Sequence, residues 1–300
     1  MGITLGIVGY GEVGGIFGRG LLGQDGIDAV WVWDLKFADA AGGAAARAAA
    51  EADGMRVAPG MQALCAVADL TISAVTASST FAVAEEAARH ARAGSRFLDL
   101  NSASPGTKQQ AGAALEAVGV AYVEAGVMTS VPPYGIRVPM LLGGAQAEAL
   151  AATLGAWGMD ARVVSPRLGV ASAIKMSRSI MIKGLEALVI ESYTTARRYG
   201  VEAHVLPTLQ ETFPQIDWER QGAYFFSRVV QHGKRRAEEM REAARTVQEA
   251  GFEPLMTSAI ASKQDWVSRQ ARAGVFDGLD GQSLWQAYAD RLIGQAGNNE

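Results

Sequence analysis

The chain has 300 residues, of which 49% are hydrophobic and 19% are charged, and its formal net charge is −4. This composition is typical of a folded globular protein with one large or two ordinary domains, and it excludes a disordered chain. The slight negative charge gives no support to nucleic acid or an anionic membrane surface as a partner.

The cysteine and histidine content limits the chemistry further. Cys65 is the only cysteine, which excludes a disulfide framework within the chain and favours a reducing compartment, so we expect a cytoplasmic protein. The three histidines lie far apart in the sequence without metal-ligand spacing, so we expect no metal site. No apolar run is long enough to span a bilayer.

The first elements are an apolar run and a set of spaced glycines. Ile3 to Val8 is followed by Gly9, Gly11 and Gly14, and then by a helical pattern of apolar residues. Gly9 allows a sharp turn, Gly11 leaves bare backbone for a pyrophosphate, and Gly14 allows the helix to pack closely on the strand. The pattern predicts a strand, a dinucleotide-binding turn and a helix whose N-terminus receives the phosphates.

A second apolar run, from Ala29 to Trp33, ends in an acidic residue. Asp34 lies 20 residues beyond Gly14, where a carboxylate can bind both ribose hydroxyls of an adenosine and repel a 2′-phosphate. This spacing favours NAD, whereas the nearby Lys36 weakens the preference and leaves NADP possible. A glycine turn followed by an unrelated surface aspartate is the alternative interpretation.

Strands and helices then alternate as far as residue 164. An alanine-rich helix is predicted over Ala38–Ala52, another over Ser79–Arg92, and a third from Pro105, with Ser104 as its N-cap. The remaining strands are predicted at Met55–Ala58, Asp69–Val75, Ser95–Leu100, Val120–Val127, Pro139–Leu142 and Ala161–Val164. The alternation predicts a mostly parallel sheet with ligands at the carboxyl ends of its strands.

Those strand ends supply the candidate binding residues. The predicted cofactor contacts are Gly9, Tyr10, Gly11, Glu12, Val13, Gly14, Asp34, Val75, Thr76 and Asn101. The predicted substrate contacts on the same edge are Asn101, Ser102, Met128, Thr129 and Ser130. Most of the latter are small hydrogen-bonding side chains suited to a hydroxyl or a carboxylate, although turn and N-cap roles are equally compatible with them.

Beyond Arg167 the sequence contains helical patterns and no convincing strand. We therefore expect a first domain over residues 1–166 and an all-helical domain over 167–300, whose last residues, 294–300, fray. Between Ile180 and Ile190 only Lys183 and Glu186 interrupt an apolar stretch. Such a helix should be buried, either in the domain centre or against a second subunit, so we expect a homodimer. Helices are predicted around Leu206–Thr212, Tyr224–His232, Arg235–Ala250, Thr257–Arg272 and Ser283–Ile293.

Three segments resemble the beta-hydroxyacid dehydrogenase superfamily, which includes 3-hydroxyisobutyrate dehydrogenase and 6-phosphogluconate dehydrogenase. They are the loop Gly9–Gly14, the segment Leu98–Pro105 (LDLNSASP) and the segment Gly169–Ser179 (GVASAIKMSRS). The closest similarity is to the branch with a 6-phosphogluconate-dehydrogenase-like C-terminal domain. The resemblance implies an α/β Rossmann domain with a mostly parallel sheet, followed by an all-α C-terminal domain.

The resemblance also implies roles for individual residues. Lys175 matches the superfamily's catalytic lysine, and Arg178 and Ser179 follow it on the same helix face as further substrate contacts. Ser179 stands where the superfamily usually has asparagine. The segment from Glu124 to Ser130 matches the superfamily's D-A-P-V-S-G-G loop only in part.

Together these features predict an NAD(P)-dependent dehydrogenase or reductase of a small β-hydroxy acid, with Lys175 as general acid/base. The alternatives are an imine or ketone reductase on the same scaffold and a non-catalytic dinucleotide-binding protein. Arg235 and Arg236 either clamp a substrate carboxylate or, more in keeping with the interleaved glutamates, form solvated helix pairs. Glu124 is either a second acid/base or, as buried strand-end acids more often are, an acceptor of backbone hydrogen bonds.

Overall fold

The computed structural model describes residues 2–297, which divide into two compact units, one ending at Met176 and the other beginning at Ser177. The first unit is built on one eight-stranded sheet. Every predicted strand is present, and each bound lies within two residues of the prediction. The strands are β1 (Ile3–Val8), β2 (Ile27–Trp33), β3 (Arg56–Val57), β4 (Leu70–Ser73), β5 (Arg96–Asp99), β6 (Ala121–Val127), β7 (Met140–Gly143) and β8 (Ala161–Ser165).

The strand order is β3-β2-β1-β4-β5-β6-β7-β8, and the first six strands are parallel. The last two run the other way, because β7 pairs antiparallel with β6 and β8 pairs parallel with β7. The connection explains the reversal, because a parallel neighbour is usually reached through a helix that crosses over the sheet. Residues 128–139 between β6 and β7 contain only a 3₁₀ turn, Gly135–Arg137. The sheet is mostly parallel, as predicted.

Six helices cover the two faces of this sheet. They are α1 (Glu12–Leu21), α2 (Gly43–Ala52), α3 (Met61–Val67), α4 (Thr80–Ala88), α5 (Pro105–Glu116) and α6 (Ala147–Ala156). Ile7 and Val8 are adjacent in β1 and therefore point to opposite faces. Ile7 packs in one buried cluster with Phe17 of α1, and Val8 in another with Leu64 of α3. The expected cap of α5 is confirmed, since Ser104 Oγ accepts a hydrogen bond from the Thr107 N–H at 3.2 Å.

The described residues of the second unit form helices and connecting turns, without a strand. The long helix α7 (Val170–Tyr199) leads into it, and it continues with α8 (Glu202–Thr212), α9 (Trp218–Glu249), α10 (Leu255–Arg272) and α11 (Trp285–Gly297). The expectation of two helices meeting near Gly233 is wrong, because α9 runs unbroken for 32 residues. Residues 298–300 of the segment expected to fray lie outside the described residues. Among residues 2–297, no helix combines the length and apolar character needed to cross a membrane.

Helix α7 does not bury its apolar residues in the way we expected. Lys183 and Glu186 are buried, whereas Met181 and Leu188 are 65% and 56% exposed. The charged side chains can lie inside because they form ion pairs with α9, whose Glu239 pairs with Lys183 at 2.6 Å. Complete burial of this helix within the chain itself is therefore wrong. Burial against a second subunit stays a prediction, as does the division into domains over residues 1–166 and 167–300.

Candidate active site

The glycine-rich turn between β1 and α1 has three glycines in three different environments. Gly9 has φ +92°, and a Cβ there would lie 2.5 Å from Ala74 O. A Cβ on Gly14 would lie 1.9 Å from Gly9 O, so α1 can approach the turn only without a side chain. Gly11, the N-cap of α1, faces open space. Within the described part of the chain no side chain caps this end of α1, so the first N–H groups of the helix are available to a ligand.

Asp34 at the end of β2 is hydrogen-bonded to the glycine-rich turn. One carboxylate oxygen accepts from the Tyr10 N–H at 2.6 Å and the other from the Lys36 N–H at 2.9 Å. The Lys36 side chain folds back, donates to Tyr10 O and places Nζ 3.9 Å from the Asp34 carboxylate. The acid predicted for the ribose thus lies beside the turn predicted for the phosphates, with a cation next to it.

A cavity of about 390 Å³ opens beside this turn. Its wall includes Tyr10, Gly11, Arg19, Lys36 and Asp53. Tyr10 donates its hydroxyl to Asp53 at 2.7 Å, and burial together with this carboxylate raises the pKa of Tyr10 to about 12. The same carboxylate pairs with Arg19 at 2.6 Å. The sequence analysis missed this cluster, because its members come from the turn, α1 and the end of α2 with no spacing to connect them.

Asn101 joins the ends of β4 and β5. Its side-chain oxygen accepts from the Val75 N–H at 2.7 Å and its amide donates to Ser73 Oγ at 2.9 Å. Ser102 beside it is half-buried, and Thr76 is exposed. Because β1, β2, β4, β5 and β6 are parallel neighbours, the predicted residues at their carboxyl ends lie along one edge of the sheet.

A buried ion pair lies just before this junction. Lys108 of α5 and Asp99 of β5 are both fully buried, with Nζ 2.9 Å from the carboxylate. Tyr122 donates its hydroxyl to Asp99 at 2.6 Å, and burial followed by the charge of Asp99 holds the pKa of Tyr122 well above its usual range. Asp99 also accepts from the Asn101 N–H at 2.9 Å, which ties the pair to the strand end. The spacing of Lys108 to Ala111 and Leu115, both buried, is the sequence signal that places it on an inward face.

The start of α7 packs against the end of β6. Gly126 is the penultimate residue of β6, and a Cβ there would lie 3.0 Å from Ala171 O and 3.5 Å from Lys175 Cβ. The half-buried Lys175 is therefore carried on a helical turn that packs directly against the end of β6. Met128, Thr129 and Ser130 follow β6, with Thr129 exposed and the other two half-buried.

The remaining candidates belong to the second unit. Arg178 is exposed and Ser179 is buried. Arg236 is buried in an ion pair with Glu186 of α7, and Arg235 forms a surface pair with Glu239 at 4.0 Å. Solvated pairs were thus the right expectation for Arg235 and the wrong one for Arg236, whose partner comes from another helix.

Residues 4–154, half of the chain, match the family described as the NAD binding domain of 6-phosphogluconate dehydrogenase. The chain belongs to the beta-hydroxyacid dehydrogenase superfamily. Residues 196–267 of this superfamily member match a domain of unknown function, DUF1932.

Solved structures similar to this superfamily member include proteins of unknown function and a dehydrogenase. A conserved hypothetical protein from Sinorhizobium meliloti is 36% identical, with 98% of this chain and 97% of that chain covered and a TM-score of 0.77. A conserved protein of unknown function, described as structurally similar to 3-hydroxyacid dehydrogenases, is 28% identical over 90% of this chain and 98% of that chain, with a TM-score of 0.68. The 3-hydroxyisobutyrate dehydrogenase of Mycobacterium tuberculosis, solved with L-serine, is 16% identical over 98% and 99% of the two chains, with a TM-score of 0.69, and shares the fold.

The superfamily's dinucleotide fits the residues present here. The open space over Gly11 is where a Cβ would stand in the way of a pyrophosphate, and the uncapped start of α1 supplies N–H donors beside it. Asp34 and Lys36 border the same turn with both signs of charge. Among residues 2–297, no three His, Cys, Asp or Glu side chains lie close enough together to form a metal-ligand set.

Proposed function

We propose that this protein is an NAD(P)-dependent oxidoreductase that transfers a hydride between the nicotinamide and a small β-hydroxy acid. The observation that carries the proposal is the position of Lys175. Its helix packs on the last residues of β6, at the edge of the sheet where the glycine-rich turn also lies. The primary amine of Lys175 near this edge is suited to move the proton of a substrate hydroxyl.

In this proposal the chain's own residues bind the cofactor and move the proton. The N–H groups at the start of α1 bind the pyrophosphate, and Asp34 binds the ribose. A bound nicotinamide cofactor supplies the hydride acceptor for oxidation and the hydride donor for reduction. As the alcohol loses its C–H hydride, Lys175 Nζ accepts the hydroxyl proton and a carbonyl forms; in reduction Nζ returns that proton to the oxygen.

The substrate is proposed to be held by small polar groups around Lys175. Asn101, Ser102, Thr129 and Ser130 at the strand ends donate to its hydroxyl and carboxylate, and Met128 limits its size. Arg178 and Ser179 are assigned further contacts because they share a helix face with Lys175. The structural rigidity of Asn101, whose side chain holds two strands together, favours a fixed donor rather than a flexible one.

We infer NAD as the preferred cofactor, with NADP possible through Lys36, and a homodimer as the functional form. The exposed apolar side chains of α7, Met181 and Leu188, lie two helical turns apart on one face and support an interface between copies.

A cytoplasmic location is inferred from cysteine usage. Cys65 is buried, and burial raises the pKa of its thiol to about 11, which is typical of an inert structural thiol.

The proposal is tested by Lys175→Met, with Lys234→Met as the matched control because Lys234 is exposed on α9. Hydride transfer is followed by NAD(P)H absorbance on a panel that includes 3-hydroxyisobutyrate and L-serine. We expect Lys175→Met to lower turnover about 10²- to 10⁴-fold, the contribution of a general acid/base, and to leave cofactor affinity unchanged. Unchanged turnover in Lys175→Met would remove the amine from the mechanism.

The same panel separates the two alternatives. An imine or ketone reductase would turn over neutral carbonyl compounds and would not need a substrate carboxylate. A non-catalytic dinucleotide-binding protein would bind NADH, as seen by fluorescence titration, and would oxidise no hydroxy acid. Turnover that depends on the carboxylate supports the hydroxy-acid assignment against both.

A further inference from the structure

Glu124 of β6 is fully buried and is bonded to the beginning of α7. One carboxylate oxygen accepts from the Gly169 and Ala171 N–H groups at 2.7 and 3.1 Å. The other accepts from the Ser172 N–H at 3.3 Å and from its hydroxyl at 2.7 Å. These N–H groups belong to the start of the helix, which has no intrahelical partners for them, and the positive end of the helix dipole faces the carboxylate.

Three glycines make room for this arrangement. A Cβ on Gly143 of β7 would lie 2.6 Å from the Glu124 carboxylate, so the neighbouring strand leaves space for it. Gly169 has φ +97°, a conformation that L side chains rarely adopt, and this turn aims its N–H at the carboxylate. Gly126 lies on the same face of β6 as Glu124, two residues on, and lets α7 rest against the strand.

The anchored turn is the one that precedes Lys175. Ala171 and Lys175 are four residues apart, so they lie one above the other on α7, and both meet the strand at Gly126. A helix transmits a shift of its first turn to the next one because the two are joined by backbone hydrogen bonds. The position of Lys175 relative to the end of β6 therefore depends on the bonds that Glu124 makes.

We propose that Glu124 is a positioning residue for Lys175: its carboxylate clamps the first turn of α7 to β6 and thereby fixes the amine relative to the edge of the sheet. This inference rests on the proposed function of Lys175. A role for Glu124 as a second acid/base is disfavoured, because both of its oxygens are engaged by the helix and its side chain is inaccessible to solvent.

The test uses Glu124→Gln, which keeps one carbonyl oxygen but turns the other acceptor into an N–H donor that faces the Ser172 N–H. Glu148→Gln on the exposed surface of α6 is the matched control. Amide hydrogen exchange over residues 169–176 is expected to be at least about tenfold faster in Glu124→Gln, as expected for the loss of hydrogen bonds to a charged group, and unchanged in the control.

Two readouts report on Lys175 itself. After reductive methylation with ¹³C-formaldehyde, the NMR signal of Lys175, assigned by its absence in Lys175→Met, is expected to move in Glu124→Gln while those of the other lysines stay in place. On the hydroxy acid of highest turnover, kcat is expected to fall about ten- to a hundredfold with the KM for cofactor changed less than twofold. In the Lys175→Met background, Glu124→Gln is expected to change kcat less than twofold, because it acts through the missing amine.

The outcomes are separable. If the Lys175 signal stays in place although exchange over 169–176 is faster, the positioning role is overturned; the same holds if the losses in kcat simply multiply. If Lys175→Met keeps full turnover, the proposed function fails, and the NMR signal still decides whether Glu124 positions the lysine. Should Glu124→Gln not fold, Ser172→Ala, which removes one of the bonds to Glu124, is expected to give the same changes at smaller size, and no change in its Lys175 signal would contradict the proposal.

Discussion

At the scale of single residues, Asp34 is expected to set the preference for NAD over NADP. Its carboxylate lies at the end of β2 with Nζ of Lys36 3.9 Å away, so a 2′-phosphate would meet an anion and a cation together. Asp34→Ala removes the repulsion and the ribose acceptor while the cation stays. We expect the ratio of kcat/KM for NAD over NADP to fall at least about tenfold, which corresponds to about 1.4 kcal/mol. Asp25→Ala, an exposed carboxylate just before β2, is the control; a wild-type preference for NADP would contradict the assignment of Asp34.

The buried side chain of Lys108 is expected to be important for stability. Its charge is paired with Asp99 in the interior, and removal of one partner leaves the other charge buried without compensation. We expect Lys108→Met to lower the free energy of unfolding by about 3–5 kcal/mol, as measured by urea denaturation. Arg162→Met, which breaks an exposed pair with Asp160 at 3.4 Å, should cost no more than about 1 kcal/mol. Equal effects of the two substitutions would show that the Lys108 pair contributes no more than a surface pair.

At this scale the sequence predicts positions better than partners. The strand-end residues were predictable because apolar runs stop where polar residues begin. The partners were not, since Asp99 meets Lys108 and Tyr122 only after two strands and a helix have been brought together. Glu124 is the intermediate case. The sequence predicted a buried acid with backbone donors but placed it at the strand end, whereas it lies in the middle of β6, and the fold decides that its donors belong to α7.

At the scale of elements, Gly233 shows how a local signal misleads. Glycine is a poor helix former, which favours a break in α9, yet the helix continues because this position packs against α10. A Cβ on Gly233 would lie 2.8 Å from Gln264 O and 3.1 Å from Ser268 Cβ. The glycine is there for close approach between helices, which no property of α9 alone reveals.

Gly233→Ala is therefore expected to lower the stability of the protein, although helix propensity alone predicts that it raises it. Alanine gains about 1 kcal/mol over glycine in an open helix, but here the added carbon forces α9 and α10 apart, at about 1–3 kcal/mol. We expect a net loss of stability in thermal unfolding. Gly294→Ala in α11, where a Cβ meets nothing within 4 Å, is the control and should be neutral or stabilising. A stabilised Gly233→Ala variant would show that the two helices separate without cost.

At the scale of the whole molecule, the nearly continuous apolar stretch from Ile180 to Ile190 predicted that α7 is buried, but not which side faces the chain's own interior. Lys183 and Glu186 were interpreted as interruptions of an apolar helix, whereas they lie on its inward face. Their partners on α9, Glu239 and Arg236, are 56 and 50 residues away in sequence. The apolar side chains left outside are what a monomer would expose to water and what a second copy would cover.

The last prediction follows from that exposed face. Met181 and Leu188 are seven residues apart on α7, so they lie on one line along the helix, the spacing that helices use to pack side by side. We expect the wild-type protein to sediment as a dimer, and Leu188→Glu to shift it towards the monomer, because the new charge would have to be buried without a partner. Leu284→Glu is the control, since Leu284 is 69% exposed and lies outside α7. A wild-type protein that stays monomeric at high concentration would contradict the dimer, whereas dissociation by Leu284→Glu but not by Leu188→Glu would place the interface away from α7.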